Sequence, residues 1–258
     1  MNDHTFVVCA YKESPYLELC LKSLVNQTIK TKILIVSSTK NNFIQSLARK
    51  YDVPLFIHED GGIGQDWNFG LRTAKSQYVT LAHQDDIYAK DYGKDIINSL
   101  EKYDDALIAF TDYQEVRNNC VITNNINLKI KRKLLLPLKI NGRIKFFKRI
   151  VLSFGNPICC PSVTYNMKLL EKFTFDLDWN TNLDWNAWEK LSRKTGRFIY
   201  LPKVLLSHRI HNDSETSNTI HNNQRAIEDF EMLTKFWPKH IARLIFHQYT
   251  KSERSNQL

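Results

Sequence analysis

Short apolar runs alternate with helical patterns through the first hundred residues, and this alternation leaves the chain few possible folds. The runs are TFVVCA (5–10), KILIVSS (32–38), VPLFIHE (53–59) and QYVTLAH (77–83). The segments between them place apolar residues at helical spacing, as in PYLELCLKSLVNQ, NNFIQSLARKY and QDWNFGLRTAK. Strands without polar alternation, separated by helices, indicate a mainly parallel sheet covered on both faces. We therefore predict an α/β fold.

Local signals set the expected boundaries of these and later elements. Ser14 and Pro15 suit the N-cap and first position of the first helix. A fifth strand is predicted over 105–113, and a helix from Leu183 that Gly196 ends before another strand. A helical pattern then runs from about residue 221 to 249. The pattern suits a helix that packs on the core or one that lies on a membrane surface.

The chain contains five scattered cysteines and no CxxC pair. This usage is typical of reduced thiols in a cytoplasmic protein. The opening residues, MNDHTFVVCAYKES, lack the basic start and long apolar run of a signal peptide. No stretch approaches the roughly 18–20 apolar residues that span a bilayer. We expect a cytoplasmic location, with peripheral contact at the inner face of the membrane as a further hypothesis.

The net charge of +9 is concentrated in one segment. No acidic residue lies between Glu115 and Glu171, whereas lysines, arginines and large apolar residues alternate over 129–150. One interpretation is a basic solvated face over an ordinary core. The other is a surface that contacts anionic lipid headgroups or a polyanionic acceptor. No nucleic-acid motif accompanies the charge, so we expect no nucleic-acid partner.

The segment TLAHQDDIY (80–88) places His83, Asp85 and Asp86 at the carboxyl end of the fourth strand, where open α/β sheets bind ligands. Adjacent carboxylates suit a magnesium or manganese ion that also contacts phosphate oxygens. Zinc is an alternative, with His208 or His211 as a third ligand. An exposed acidic turn is the third interpretation.

The wider pattern resembles family 2 glycosyltransferases over roughly residues 5–217. VVCAYKESPYLELCLKSLVNQT resembles the family's opening strand, its Tyr-Asn-Glu-like turn and its helix ending Ser-Leu-x-x-Gln-Thr. GQDWNFGLRTAKSQYVTLAHQDD resembles the stretch leading to the Asp-x-Asp-Asp motif. LDWNAWEKL resembles the catalytic Glu-Asp helix, and LLSHRIHNDSET the terminal Arg-x-His-x-x-Ser-x-Thr signature.

The resemblance implies a GT-A fold and inverting transfer of a sugar from a nucleotide-sugar donor, with a UDP-sugar expected, to a glycan or lipid-linked acceptor in cell-surface polysaccharide synthesis. It implies a GT-A domain over 1–217, with a nucleotide-binding half to about 115, and a C-terminal helical extension over 218–258. Asp184 is the implied catalytic base. The other implied site residues are Asp85, Asp86 and His211 for a manganese or magnesium ion, Ala10, Tyr11, Glu13, Ser37, Asp66, Asn68, His83 and Gln84 for the nucleotide, and Trp185 and Trp188 for the acceptor.

Several residues depart from the family pattern. His83 stands at the first Asp of the motif, Leu183 replaces the acid before Asp184, and Ser37 and Ser38 stand where an Asp commonly contacts the nucleobase. One alternative is therefore a GT-A protein that binds sugar nucleotide or glycan without turnover. Another is a zinc-dependent N-acetyl sugar deacetylase, since AHQDD resembles the Ala-His-Pro-Asp-Asp motif of that family.

Overall fold

The protein is organised around one mixed β-sheet. The computed structural model describes residues 3–211 and 224–254. Within these ranges the sheet has nine strands in the order β3-β2-β1-β4-β8-β6-β9-β5, with β7 paired to β6. The strands are β1 (His4–Cys9), β2 (Lys32–Ser37), β3 (Leu55–Ile57), β4 (Tyr78–His83), β5 (Ile87–Tyr88), β6 (Ala106–Arg117), β7 (Cys120–Ile122), β8 (Val163–Asn166) and β9 (Arg197–Ile210).

The first four strands form the predicted parallel half of the sheet. β1 pairs in parallel with β2 and β4, and β2 pairs in parallel with β3. Phe6 and Val8 of β1 point into one apolar cluster, and Val7 between them points into the other. Helices cover both faces, so the strands are continuously apolar. These helices are α1 (Leu17–Val25), α2 (Asn42–Lys50), α3 (Ile63–Ala74) and α4 (Tyr92–Leu100).

The second half of the sheet joins the chain's later segments to this frame. β8 pairs antiparallel with both β4 and β6, and β6 pairs in parallel with β9. The short strand β5 pairs antiparallel with β9, so that Ile87 lies opposite Ser207 and Tyr88 opposite Leu206. This pairing brings the turn after β4 to the end of β9, although the two segments are more than one hundred residues apart in sequence.

The later helices pack beside this half of the sheet. They are α5 (Ile126–Leu134), α6 (Leu136–Asn141), α7 (Lys145–Leu152), α8 (Leu183–Ser192), α9 (Gln224–Thr234) and α10 (Lys239–Arg254). In α9, Met232 and Leu233 are buried in the same apolar cluster as Val7 and Trp188, and Ala242 of α10 joins them. The C-terminal helices therefore pack on the core. None of the helices in the described ranges has the length and apolar character that crossing a bilayer requires.

Several predicted boundaries are wrong. The first helix begins at Leu17 and not at Pro15, because Ser14 instead accepts a hydrogen bond from the Tyr16 amide in a turn. The single C-terminal helix is interrupted before Pro238, which cannot donate an intrahelical hydrogen bond. The predicted domain boundary between 217 and 218 falls outside the described residues, as do the Ser214 and Thr216 positions of the terminal signature.

Gly70 allows α3 to lie close to β1. A Cβ atom at this position would be 2.6 Å from Cγ1 of Val7, a stiff β-branched side chain in the core. We expect Gly70→Ala to lower the free energy of unfolding by about 1–2 kcal/mol, because overpacking outweighs the higher helix propensity of alanine. Chemical denaturation measures the change.

Gly61→Ala is the matched control, since nothing lies within 4 Å of a Cβ there. Equal stability of the two variants would show that α3 can shift away from β1 without cost.

Candidate active site

The acidic cluster lies in a tight turn between β4 and β5. The Asp86 amide donates to the carbonyl oxygen of His83 over 3.3 Å, which closes the turn. One ligand atom from each of His83, Asp85 and Asp86 lies within 4.8 Å of the others. The predicted cluster is thus assembled by local sequence at the carboxyl end of a central strand.

Asp86 is fully buried, and the end of β9 holds its carboxylate. His208 Nδ1 donates to Asp86 Oδ1 over 3.0 Å, and the Arg209 amide donates to the same oxygen over 2.9 Å. Burial alone would lower the pKa of His208, but the Asp86 carboxylate outweighs it and raises that pKa. A buried carboxylate needs such partners, so Asp86 fixes β9 to the turn.

Asp85 is more accessible and pairs with the next histidine of β9. His211 Nε2 donates to Asp85 Oδ2 over 3.0 Å, and Arg209 Nε donates to the Asp85 carbonyl over 3.2 Å. Burial would raise the pKa of Asp85, but the hydrogen bond from His211, together with weaker neighbouring interactions, outweighs it and lowers that pKa. Asp85 therefore remains ionised, and it offers its negative charge to the site.

His83 presents a neutral imidazole to the same cluster. Its ring stacks on Trp67 with 5.5 Å between centroids, and burial lowers its pKa despite the nearby carboxylates. Its Nε2 atom is buried and has no hydrogen-bond partner within residues 3–211 and 224–254. A buried nitrogen with a free lone pair next to two carboxylates is a suitable set of ligands for a divalent cation.

Asp184 stands in the first turn of α8, on the other side of the site. Asn156 Nδ2 donates to its Oδ2 over 2.7 Å, and the Trp185 amide donates to its Oδ1. Burial raises the pKa of Asp184 in spite of these bonds and of the nearby Arg225 charge. The interaction with His83 places Asp184 within electrostatic reach of the acidic turn. A partly buried carboxyl group with a raised pKa suits general base chemistry.

The start of α8 is held by a carboxylate from α9. Glu228 accepts hydrogen bonds from the backbone amides of Asn180, Thr181 and Asn182 at 2.9–3.0 Å. Asp229 Oδ1 accepts a further bond from the Asn182 side chain over 2.7 Å. These bonds satisfy amides that precede the helix and fix the position from which Asp184 projects.

The loop after β1 is joined directly to the acidic turn. The Tyr11 amide donates to Gln84 Oε1 over 3.0 Å, and Gln84 Nε2 donates back to the Tyr11 carbonyl over 3.1 Å. The Tyr11 ring is 46% exposed, and Glu13 beyond it is exposed, whereas Ala10 is buried. The structure therefore brings two predicted nucleotide-binding residues, Tyr11 and Gln84, next to the cluster.

A second polar group lies at the end of β2. The Ser37 hydroxyl bonds to Thr39 in the following loop, and Ser38 Oγ lies 3.5 Å from Asp66 Oδ2. His58 Nε2 lies 2.8 Å from Asp66 Oδ1, and burial raises the pKa of Asp66. The two predicted residues on this side, Ser37 and Asp66, are therefore each held by neighbouring side chains. Asp66 does not cap its helix, because α3 has Gly62 at the N-cap.

Three predicted site residues are buried within the fold, and their contact with a ligand stays a prediction. The side-chain amide of Asn68 donates to the Phe175 carbonyl and accepts a hydrogen bond from the Phe175 amide. Trp185 is fully buried with its indole nitrogen on the Leu152 carbonyl, and Trp188 is fully buried against the ring of Tyr165. Both tryptophans face inward because α8 is buried on almost all sides.

The sequence reasoning missed three contributors to the site. His208 was considered as a zinc ligand, yet it holds the buried Asp86 carboxylate. Arg209 was assigned no role, yet it contacts both aspartates of the turn and lies over the Tyr16 ring at 4.2 Å. Asn156 comes from an irregular loop that carries no sequence signal. Arg209 and His211 are two residues apart and therefore lie on the same side of the strand. This spacing was the sequence signal available for Arg209.

The two histidines considered as a third zinc ligand both lie at the acidic turn. His208 bonds to Asp86, and His211 bonds to Asp85. The zinc deacetylase interpretation stays a hypothesis, which the identity of the metal bound by the purified protein would distinguish from a transferase.

Comparisons with known sequences cover much of the chain. A family model described as Glycosyl transferase family 2 matches residues 5–171. An uncharacterized glycosyltransferase of Rickettsia typhi is 24% identical over 247 residues, covering 93% of this chain and 72% of the relative. Another, of Rickettsia prowazekii, is 25% identical over 236 residues, covering 87% of this chain and 69% of the relative.

Solved structures resemble the whole arrangement. S. aureus TarS 1–349 in complex with UDP-GlcNAc has a TM-score of 0.65 at 16% identity, covering all of this chain and 74% of that one. The mannosyltransferase PcManGT from Pyrobaculum calidifontis, in complex with GDP-Man and Mn²⁺, has a TM-score of 0.66 at 17% identity, covering 95% and 70%. At these identities the likeness shows the fold alone, and it confirms the predicted GT-A architecture.

The bonds that Glu228 accepts should stabilise the protein measurably. Burial alone would raise the pKa of Glu228, but Gln224 and the amides of residues 180–182 lower it to about 2. A depressed pKa stabilises the fold above the unfolded value of about 4.3, and this contribution is lost as the pH falls towards 2. We expect Glu228→Ala to cost about 2–3 kcal/mol at neutral pH. The stability curve of the variant should also fall less steeply below pH about 4.

Urea denaturation from neutral to acidic pH measures both effects. Glu231→Ala, an exposed position on the same helix, is the control. A Glu228→Ala variant as stable as this control would remove the role assigned to the carboxylate.

Proposed function

The chain belongs to glycosyl transferase family 2, and we propose that it moves a hexosyl or N-acetylhexosaminyl group from a UDP-sugar to a hydroxyl of a glycan or lipid-linked saccharide. The observation that carries the proposal is the pairing of two features across one site. Asp85, whose pKa is lowered, lies in the acidic turn, and Asp184, whose pKa is raised, lies within electrostatic reach of His83 in the same turn. Glycosyl transfer needs both a stabilised leaving diphosphate and a base for the acceptor.

The donor is expected to lie over the loops after β1 and β4. Tyr11 offers an exposed ring for stacking on the base, and its backbone is anchored to Gln84 beside the acidic turn. TarS is named in complex with UDP and with UDP-GlcNAc, which supports a uridine nucleotide as the first choice. A guanosine nucleotide is the second, since PcManGT is named in complex with GDP-Man.

His83 and Asp85 are the residues we expect to hold a divalent cation, with manganese favoured over magnesium because an imidazole nitrogen is in the set. When bound, the cation supplies positive charge to the diphosphate as it leaves. Asp86 is fully buried, and both His208 and Arg209 bond its Oδ1 atom, which ties this carboxylate to β9. We assign it the positioning of the turn.

Asp184 is expected to remove the proton of the acceptor hydroxyl. The hydroxyl oxygen then attacks the anomeric carbon, the bond from that carbon to the diphosphate breaks, and the configuration inverts. Asn156 holds one carboxylate oxygen of Asp184 and so orients the other. Burial of the carboxyl group raises its basicity over that of an exposed aspartate.

We expect the acceptor to be lipid-linked and the reaction to serve polysaccharide synthesis for the cell envelope. The support is the exposed apolar and basic surface on α5, α6 and the start of α7, which suits a protein that works at the inner face of a membrane. A non-catalytic binding protein is the second candidate, favoured by the replacement of the first motif aspartate by His83.

Nucleotide binding tests the donor and metal assignment. Calorimetry with UDP, GDP, CDP and dTDP should show binding of one nucleotide that depends on manganese. Asp85→Ala should weaken that binding at least about tenfold, as expected for loss of a metal ligand. Asp104→Ala, at an exposed position away from the turn, is the control. Absence of binding by all four nucleotides would contradict the transferase assignment.

The role of Asp184 is tested by Asp184→Asn. We expect kcat to fall about 100- to 10,000-fold with nucleotide affinity unchanged, because only the base is removed. The raised pKa also places the acid limb of the wild-type kcat profile above pH about 4, with activity rising as the carboxyl group loses its proton. Asp178→Asn, at an exposed position, is the control. Nucleotide binding without any sugar transfer would favour the non-catalytic candidate.

A further inference from the structure

Helices α5, α6 and the start of α7 expose an unusual number of large apolar side chains. Single exposed apolar residues are common on protein surfaces, but a run of them marks an interaction site. The exposed fractions here are 75% for Ile126 and Ile140, 65% for Phe146, 49% for Leu136, 46% for Ile130 and 44% for Ile144. Together with the exposed lysines Lys129, Lys133 and Lys145, these residues form what we call the outer face.

The spacing of these residues puts them on shared sides of their helices. Ile126 and Ile130 are four apart on α5, and Leu136 and Ile140 are four apart on α6. Residues four apart lie one above the other on a helix surface. Lys129 and Lys133 repeat with the same spacing on α5, so lysines alternate with isoleucines along the outer face.

The structure divides the basic segment into two sets of side chains. One set bonds inward: Lys131 Nζ donates to Tyr113 Oη, Arg132 pairs with Asp112, Lys148 donates to the carbonyls of Lys194 and Gly196, and Arg149 pairs with Glu189. Lys139 lies over the Tyr200 ring and Arg143 pairs with Asp105, so neither belongs to the outer face. The remaining set consists of the three lysines of the outer face. Their surroundings contain no carboxylate of the same segment, because residues 116–170 include no acidic residue.

We propose that the outer face docks on an anionic lipid bilayer. The isoleucines and Phe146 enter the boundary between headgroups and acyl chains, while the lysines lie among the lipid phosphates. A soluble polyanion would match the lysines but leave the apolar side chains in water. A second copy of the chain would set lysine against lysine. A bilayer with anionic lipids matches both parts of the face.

The helices that carry the outer face also bond, through their inward side chains, to residues around the site. Lys131 of α5 bonds Tyr113, whose ring lies 6.1 Å from the ring of His208, the partner of Asp86. From α7, Lys148 and Arg149 bond the end and side of the α8 segment that carries Asp184. The lipid-linked acceptor named above rests on the proposed function, whereas the docking itself does not.

Vesicle flotation tests the proposal. The full chain, without donor or metal, is mixed with phosphatidylcholine vesicles that contain or lack phosphatidylglycerol. We expect binding only to the anionic vesicles, weakened in high salt. Ile130→Ser/Ile140→Ser/Phe146→Ser should weaken it at least tenfold. Lys129→Gln/Lys133→Gln/Lys145→Gln should also do so, since each lysine near the surface is worth about 1 kcal/mol, or about fivefold.

Two control variants carry the same chemical changes elsewhere. Lys30→Gln/Lys102→Gln/Lys168→Gln removes three exposed lysines, and Leu244→Ser removes an apolar side chain that is 71% exposed. Both should bind like the wild type. Equal loss in the control variants, or equal binding to neutral vesicles, would overturn the proposal. If the wild type fails to bind vesicles while the triple serine variant has a different mass in sedimentation, the outer face is a contact between two copies of the chain. This result also overturns the proposal.

The calorimetric nucleotide measurement separates this proposal from the proposed function. Outer-face variants that lose vesicle binding should bind nucleotide like the wild type, which also shows that they are folded. Wild-type protein that binds nucleotide but no anionic vesicle would overturn the docking and leave the transferase assignment in place.

Discussion

The site depends on the burial of one carboxylate, that of Asp86. A buried negative charge is costly unless it is fully bonded, and its partners here come from the far end of β9. The pairing of β5 with β9 brings those partners into place. With β9 held in this position, the Asp85 carboxylate bonds to His211, and the Asp85 backbone carbonyl accepts a hydrogen bond from Arg209. Two segments distant in the sequence are thereby joined into a single polar surface beside His83.

The helix that carries Asp184 is held by opposite charges at its two ends. The Glu228 carboxylate of α9 bonds the amides before α8, and the Lys148 ammonium of α7 bonds the carbonyls after it. This polarity matches the helix dipole, which favours negative charge at the first turn and positive charge at the last. Helices on either side of α8 therefore hold it by charge as well as by packing.

The parallel half of the fold could be predicted from the sequence because both faces of its strands are buried, so the runs of KILIVSS and QYVTLAH contain no polar alternation. The acidic turn could be predicted because its three residues are adjacent. The inward orientation of Trp185 and Trp188 could not, since their burial depends on helices α7 and α9 that pack around α8. The partners of Asp86 and Asp184 could not either, because strand pairing and an irregular loop bring them from more than twenty-five residues away.

The hydrogen bonds that Glu228 accepts from residues 180–182 limit which C-terminal segments could be joined to this chain by recombination. The region after β9 packs on the same core as the sheet, and its carboxylate completes the start of the α8 segment. A recombination event that joined the first 211 residues to an unrelated tail would leave three backbone amides without an acceptor beside Asp184. The tail and the Asn180–Asn182 turn are therefore expected to be exchanged together among relatives, as a single evolutionary module.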